Sequence, residues 1–424
     1  MVAETRERPL AIMERRVVIT AASAITPIGR EREEILRNLK GGVSGIKRFT
    51  KQDDLFAPYL RSKVYGLVDY EIDYGFSRKY VKTLGPVSYY ACQAAKEVIA
   101  QAGLSQDILS SGRVGVAFGS IHGSPTVQRS MYEAFFDHKH MEYAKINATD
   151  YLKSMVHTTA VNITRMFGIT GRVIASCTAC TTGSQSIGYG YEAVKYGLQD
   201  AMICGAADER DTTTVAVFDN LLACSTAFND EPHRTPRPFD VKRDGLVVAE
   251  GAGAVMLEDL EFARARGAPI LAEVIGFACC NNGGDLILPN VDGVIRAIQM
   301  ALENARIRPE DVDFISAHAT ATKMGDVVEA QAIGSEYGDR PIVAGFKSYI
   351  GHTMSACGAI ETIFTLYLMQ EGIVVPTLNL EEVDPRCDMI NHSLKVKELP
   401  ITIASVHNFA FGGVNTVLLL KRWS

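Results

Sequence analysis

Two stretches of this chain follow one plan, and that repetition limits the folds open to it more than any other feature. IASCTACTTGSQSIGYGYEAVKYG (174–197) and AGFKSYIGHTMSACGAIETIFTLYLMQEG (344–372) each read as an apolar strand, a small-residue loop and a helix. The first loop presents Cys180 and the second His352. Elsewhere the pattern predicts a short strand and then a turn with Pro27 and Gly29 over 16–29, strands over 114–120, 200–209, 245–259, 269–280, 312–320 and 341–347, and two strand-like runs around a Gly-rich turn over 403–422. Helices are expected from Glu31, over 77–104 with an interruption at Pro86, and over 151–167, 294–307 and 325–338; the segment 50–76 reads as irregular surface. Such alternation is that of an α/β fold with largely parallel sheets, here in two similar βα halves. The expected division is a flexible arm over 1–15, a half carrying a nucleophilic cysteine over 16–259, and a half carrying two histidines over 260–424.

The loop after residue 174 is built to seat a nucleophile. Ile187, Tyr191 and Val194 fall at helical spacing, which puts Cys180 where the helix begins. Unpaired amides and the positive dipole end favour an anion there, so the thiol is expected to have a lowered pKa. Two blander readings compete. A lone cysteine is commonly a small buried hydrophobe, and Cys177 with Cys180 makes a Cys-x-x-Cys pair that suits redox chemistry or half a metal site. His138 and His140 are spaced too closely to complete a zinc set. Two further loops carry histidines after apolar strands, His318 in SAHATATKMGD and His352 in FKSYIGHTMSACGAIE, where α/β folds place their chemistry. Lys347 and Glu361 lie within that last apolar stretch and must pair or face the site to be tolerated. Pocket depth is expected to depend on 121–170, including His122 and Phe135.

Composition narrows the class. Of 424 residues, 47% are apolar and 22% charged, with a net charge of −6, which suits a globular enzyme and argues against general nucleic-acid affinity. The nine scattered cysteines do not resemble a disulfide framework. The charged opening MVAETRERPLAIMERR lacks a signal-peptide core, and no apolar run reaches membrane-spanning length, so a cytoplasmic protein without membrane insertion is expected.

At these residues the chain resembles the β-ketoacyl–acyl carrier protein synthases of the thiolase superfamily, most closely the elongating type of fatty-acid and type II polyketide pathways. The likeness spans about residues 15 to 422 and rests on RVVITAASAITPIG, ACTTG, RPFDVKRDGLVVAEGAG, HATATKMGD, KSYIGHTMSACGAIE and NFAFGGVN, in family order. It implies a layered α-β-α-β-α core. It further implies that Cys180 is the acyl-accepting nucleophile, that His318 and His352 are the paired catalytic histidines, and that Lys347 and Glu361 support them. Thr320 and Thr322 would bond the phosphopantetheine arm, Phe409 and the gating Phe411 would contact substrate, and the backbone N–H groups of Cys180 and Phe411 would form the oxyanion hole. Arg78, Lys79 and Lys82 are candidates for docking an acidic acyl carrier protein, a solvated helix start being the alternative. The implied reaction is decarboxylating condensation, with no metal and no cofactor beyond carrier-bound pantetheine. A thiolase would need a second cysteine in the closing loop, and NFAFGGVN has none. A homodimer, or a heterodimer with a chain-length-factor-like subunit, is implied.

Some positions depart from the family pattern. HATAT has Ala319 and Ala321 where His-Gly-Thr-x-Thr is usual, and the closing loop has His407 before Asn408 and Ala410 between the phenylalanines. Alanine at a hinge narrows backbone freedom, so gating that is stiffer or differently timed is expected. CCNNGGDLILPN (279–290) also lacks the usual aromatic-His pattern. These changes favour a specialised polyene or polyketide pathway over housekeeping fatty-acid elongation. A non-catalytic chain-length-factor-like role is opposed by Cys180 and the two histidines.

Overall fold

The computed structural model of the protein describes residues 14–49, 57–136 and 147–423. His138, His140 and most of the expected N-terminal arm lie outside them. Glu14 and Arg15 are fixed to the body: Lys195 Nζ stands 3.6 Å from Glu14, and Arg15 pairs with Asp200 at 2.9 Å.

Eleven strands form one mixed sheet system. In chain order they are β1 (Val17–Ile25), β2 (Val114–Gly119), β3 (Val173–Ile174), β4 (Ala201–Asp208), β5 (Gly251–Asp259), β6 (Ala272–Asn281), β7 (Phe314–Ser316), β8 (Ile342–Ala344), β9 (Asn391–His392), β10 (Ile403–Phe409) and β11 (Val414–Arg422). From one edge inward the first half runs β3-β2-β4-β5-β1, and from the other edge, inside the short β9, the second runs β8-β7-β10-β11-β6. The order is the same twice, and the halves meet where β1 pairs antiparallel with β6 over Val17–Ile19. The expected parallel character holds only for the outer three strands of each half; the β4–β5, β5–β1, β10–β11 and β11–β6 pairs are antiparallel. For β10 and β11 the reason is local: a tight turn joins them through Gly412 and Gly413, at φ +87° and +71°, and permits only antiparallel pairing.

Helices fill the remaining layers. On the outside of the first half lie α1 (Pro86–Ala102) and α2 (Thr158–Phe167), whose apolar faces bury Val87, Ala95, Val98 and Ile163 against the sheet. Proline suits the first helical position, so α1 starts at Pro86, and Arg78–Val81 is a separate single turn. Between the halves lie α3 (Thr182–Lys195) and α6 (Cys357–Glu371), whose Ile187, Tyr191, Ile360 and Phe364 share one core with strands of both halves. Outside the second half lie α4 (Val291–Ala305) and α5 (Gly325–Tyr337), burying Ile298, Leu302, Val328 and Ile333. The result is the α-β-α-β-α layering of a thiolase-like fold. Several strands are shorter than their apolar runs, because buried loop residues extend the same hydrophobic sequence. Likewise 57–67 is not surface: Leu60, Val64 and Tyr65 are buried, and Val64–Gly66 pairs with Ile46–Arg48.

The central helices cross closely at their N-terminal ends. A Cβ on Gly183 would lie 2.8 Å from the Ala359 nitrogen and the Ser355 carbonyl oxygen, and one on Gly358 would lie 2.8 Å from the Ser184 nitrogen. Glycine is required here by backbone proximity. Gly183→Ala is therefore expected to destabilise the protein by about 1–3 kcal/mol through overpacking, whereas the same change in an exposed helix stabilises by about 1 kcal/mol. Thermal unfolding gives the sign, and stabilisation would show that the crossing has slack.

Candidate active site

The crossing puts the start of α3 against the loop before α6. Cys180 lies in a 3-10 turn, Ala179–Thr181, immediately ahead of α3, and His352 in the loop following Lys347–Ile350. His352 Nε2 is 3.0 Å from Cys180 Sγ. His318 follows β7, and its ring meets that of His352 edge-on at 5.4 Å between centroids. One ligand-type atom from each of Cys180, His318 and His352 falls within 4.8 Å of the others. The structure thus brings together the three reactive side chains singled out in the sequence.

Hydrogen bonds fix both imidazole tautomers. The Met354 N–H donates to His352 Nδ1 at 3.1 Å, so the proton of a neutral His352 sits on Nε2, facing the sulfur. Lys347 Nζ donates to His318 Nδ1 at 3.1 Å, to the His318 carbonyl at 2.6 Å and to Glu361 Oε1 at 2.5 Å. Its three donors are used, and the His318 proton is likewise on Nε2. Both histidines are held well below the usual imidazole range, first by burial and then by the Lys347 charge, so they stay neutral.

Lys347 and Glu361 are the buried pair that an apolar segment demands. Burial works against the ammonium, yet the neighbouring Cys357 and Glu361 keep its pKa above the ordinary lysine value. Burial pushes the Glu361 carboxyl up, while Lys347 and Asn408 pull it down. We assign the ionised pair: both carboxylate oxygens accept, Oε1 from Lys347 and Oε2 from Asn408 Nδ2 at 2.7 Å, which leaves no acceptor for a carboxyl proton.

The thiol departs from expectation. Burial pushes Cys180 up to about 12, and the opposing pull of Lys347 does not offset it. The helix end that should favour thiolate is covered by protein, so desolvation of the charged form dominates. The resting group is a thiol. Cys177 is exposed, and it and the other cysteines are all free, with no disulfide.

Cys180, His318 and His352 line a cavity of about 240 Å³. Thr320 and Thr322 also line it, their hydroxyls 3.0 Å apart. Phe409 meets His318 edge-on, and the Phe411 ring stacks on Phe218 at 5.6 Å. The apolar wall includes Leu221, Ile287, Leu288 and Met324. Among the described residues of 121–170, neither His122 nor Phe135 nor any other contributes to this lining; Phe135 lies on the helix Pro125–Phe136 and is exposed. The 279–290 stretch provides the wall because it is bonded to the closing turn: Asn281 Nδ2 donates to the Gly412 carbonyl at 2.6 Å, and the Gly412 N–H to the Leu286 carbonyl at 2.7 Å.

The alanine departures divide. Ala319 and Ala321 occupy left-handed backbone, at φ +42° and +63°, where a Cβ is strained. Glu329 holds that bend, accepting the N–H groups of His318 and Ala319, both at 2.7 Å. Ala410 is outside the left-handed region, so its methyl costs nothing there. Glu329 and Asn408 were not evident from sequence; each is an ordinary polar residue until the fold turns it toward His318 and Glu361. Arg78, Lys79 and Lys82 are exposed on or beside their single turn, away from the cavity lining, with no carboxylate partner among the described residues.

Comparison with known proteins covers most of the chain. Residues 14–263 match the family Beta-ketoacyl synthase, N-terminal domain, and 271–381 the family Beta-ketoacyl synthase, C-terminal domain. The 3-oxoacyl-[acyl-carrier-protein] synthase 1 of Escherichia coli (strain K12) is 32% identical over 410 residues, covering 96% of this chain and 99% of its own. The crystal structure of a Beta-ketoacyl synthase from Burkholderia phymatum STM815 superposes with a TM-score of 0.92 at 39% identity, over 97% of this chain and 100% of that one. The ishigamide ketosynthase/chain length factor gives a TM-score of 0.88 at 30% identity, over the same shares.

Proposed function

Since the chain belongs to the β-ketoacyl synthase family and is an enzyme of that family, we propose that it joins an acyl group held on Cys180 to a malonyl unit on acyl carrier protein. The single observation that carries this reading is the pair of neutral imidazoles, each with its Nε2 proton fixed, beside one buried thiol.

The Cys180 sulfur attacks the acyl thioester, its proton passes to the departing carrier sulfur, and the carrier leaves as a free thiol with the acyl group on the enzyme. The backbone N–H groups of Cys180 and Phe411 are assigned to the oxyanion, each such donor being worth about 3–4 kcal/mol. Malonyl carrier then loses CO2, and the enolate oxygen accepts from the Nε2–H groups of His318 and His352. Neutral donors suit this role, since they hold the oxygen without protonating the carbanion. The carbanion attacks the acyl-Cys180 carbonyl, the sulfur leaves, and a 3-oxoacyl carrier two carbons longer is released. Thr320 and Thr322 would hold the pantetheine arm, and Phe409 with Phe411 would contact the acyl chain. No further cofactor enters the scheme.

Arg78, Lys79 and Lys82 are proposed to dock the carrier; three exposed cations with no carboxylate partner among the described residues suit an acidic surface. A specialised polyene or type II polyketide pathway is favoured over housekeeping elongation by the left-handed alanines of HATAT and the altered 279–290 wall. A partner of the chain-length-factor kind, as in the ishigamide pair, is one proposed assembly and a homodimer the other. No helix among the described residues is long and apolar enough to cross a membrane.

The test is reconstitution with acyl carriers of several lengths and malonyl carrier, reading 3-oxoacyl product and CO2. Because both imidazole pKa values are lowered, CO2 release from malonyl carrier is expected to stay flat between about pH 6 and 8. A rise with falling pH through about 6.5 would mean that an imidazolium takes part. Absence of product at every chain length, with and without a partner subunit, would overturn the proposal.

A further inference from the structure

The scheme leaves one buried thiol of the site unused. Cys357, fully buried at the start of α6, donates its S–H to the carbonyl oxygen of Cys180 at 3.2 Å. Asn408, arriving on β10, points Nδ2 at the same sulfur at 3.8 Å and at Glu361 Oε2 at 2.7 Å. Gly358 leaves room for that amide: a Cβ there would stand 2.5 Å from Asn408 Oδ1. Glu361 in turn binds Lys347, which fixes His318. A continuous set of buried contacts therefore runs from the nucleophile's own backbone to the ammonium that orders a histidine.

We propose that Cys357, supported by Asn408, is a positioning residue for the nucleophile: its S–H holds the Cys180 carbonyl and so aims Sγ. This rests on Cys180 being the acyl acceptor. The 3-10 turn makes such a tie useful. It contains Ala179 at φ +49°, a strained conformation for alanine, and a carbonyl left without this donor gives the turn one restraint fewer. The sulfur of Cys357 need never react. It contributes a donor of suitable reach, and a thiol is the weak donor that a carbonyl already inside a helix turn can accept.

The test compares Cys357→Val and Cys357→Ala, which remove the donor, with Cys357→Ser, which keeps one. Two half-reactions are followed: Cys180 acylation by acyl carrier, read by intact mass, and CO2 release from malonyl carrier. Acylation is expected to slow about five- to tenfold in the Val and Ala variants, with decarboxylation within about twofold of wild type and Ser recovering most of the loss. If Cys357→Val does not fold, the Ala and Ser pair decides. Equal acylation by the Ala and Ser variants would overturn the proposal, as would a matching fall in decarboxylation. Failure of the underlying reading looks different, since wild type would not acylate or Cys180→Ala would acylate equally.

Discussion

Cys180→Ala is expected to take up no acyl group and to lower condensation by about 10⁴-fold or more, the scale on which loss of a covalent nucleophile is felt. Release of CO2 from malonyl carrier should survive within about tenfold, because both Nε2–H donors remain with their tautomers fixed from behind by Met354 and Lys347. Intact mass and CO2 evolution separate the two outcomes. Loss of both activities would mean that the sulfur also organises the decarboxylation pocket. Cys177→Ser is the companion control: an exposed, free thiol should tolerate the change, whereas a redox role for the Cys-x-x-Cys pair requires that it abolish activity.

The second large effect concerns Lys347. Its ammonium is buried against Glu361, so Lys347→Met leaves a buried carboxylate with Asn408 alone and should cost about 3–5 kcal/mol of stability. The same change removes the closer donor on His318 Nδ1, at 3.1 Å, and leaves Asn408 Nδ2 at 3.5 Å, which loosens the hold on the ring's proton. Decarboxylation should fall about 10²-fold or more. The double variant Lys347→Met/Glu361→Leu tests the two claims apart. Replacing both charges should return most of the stability and none of the activity. Should Lys347→Met alone cost less than about 1 kcal/mol in denaturant unfolding, the ionised pair is not what the fold requires.

That pair was legible in advance because an apolar helix cannot carry lone charges, and Cys180, His318 and His352 because each ends an apolar run among small residues. The repeat was legible for the same reason: it is written in local pattern. What escaped depends on groups distant in sequence. Asn408 approaches Glu361 from 47 positions away, and Cys357 meets the Cys180 carbonyl from 177. The thiol pKa was misjudged because a helix end is local, whereas the burial that overrides it comes from the whole packed surroundings. The wall supplied by 279–290 was not anticipated because the bonding of that stretch to Gly412 leaves no trace in either segment alone.

The crossing at Gly183 and Gly358 acts as a gauge block between two copies of one topology. Cys180 belongs to the first copy, while the histidines, Lys347, Glu361 and Asn408 belong to the second, so neither copy holds a complete chemistry by itself. The spacing between donor and sulfur is thus set by how far two backbones can approach without a side chain between them. Any shear between the copies is read directly as a longer His352–Cys180 gap, which makes the enzyme's turnover a measure of how well its two halves fit.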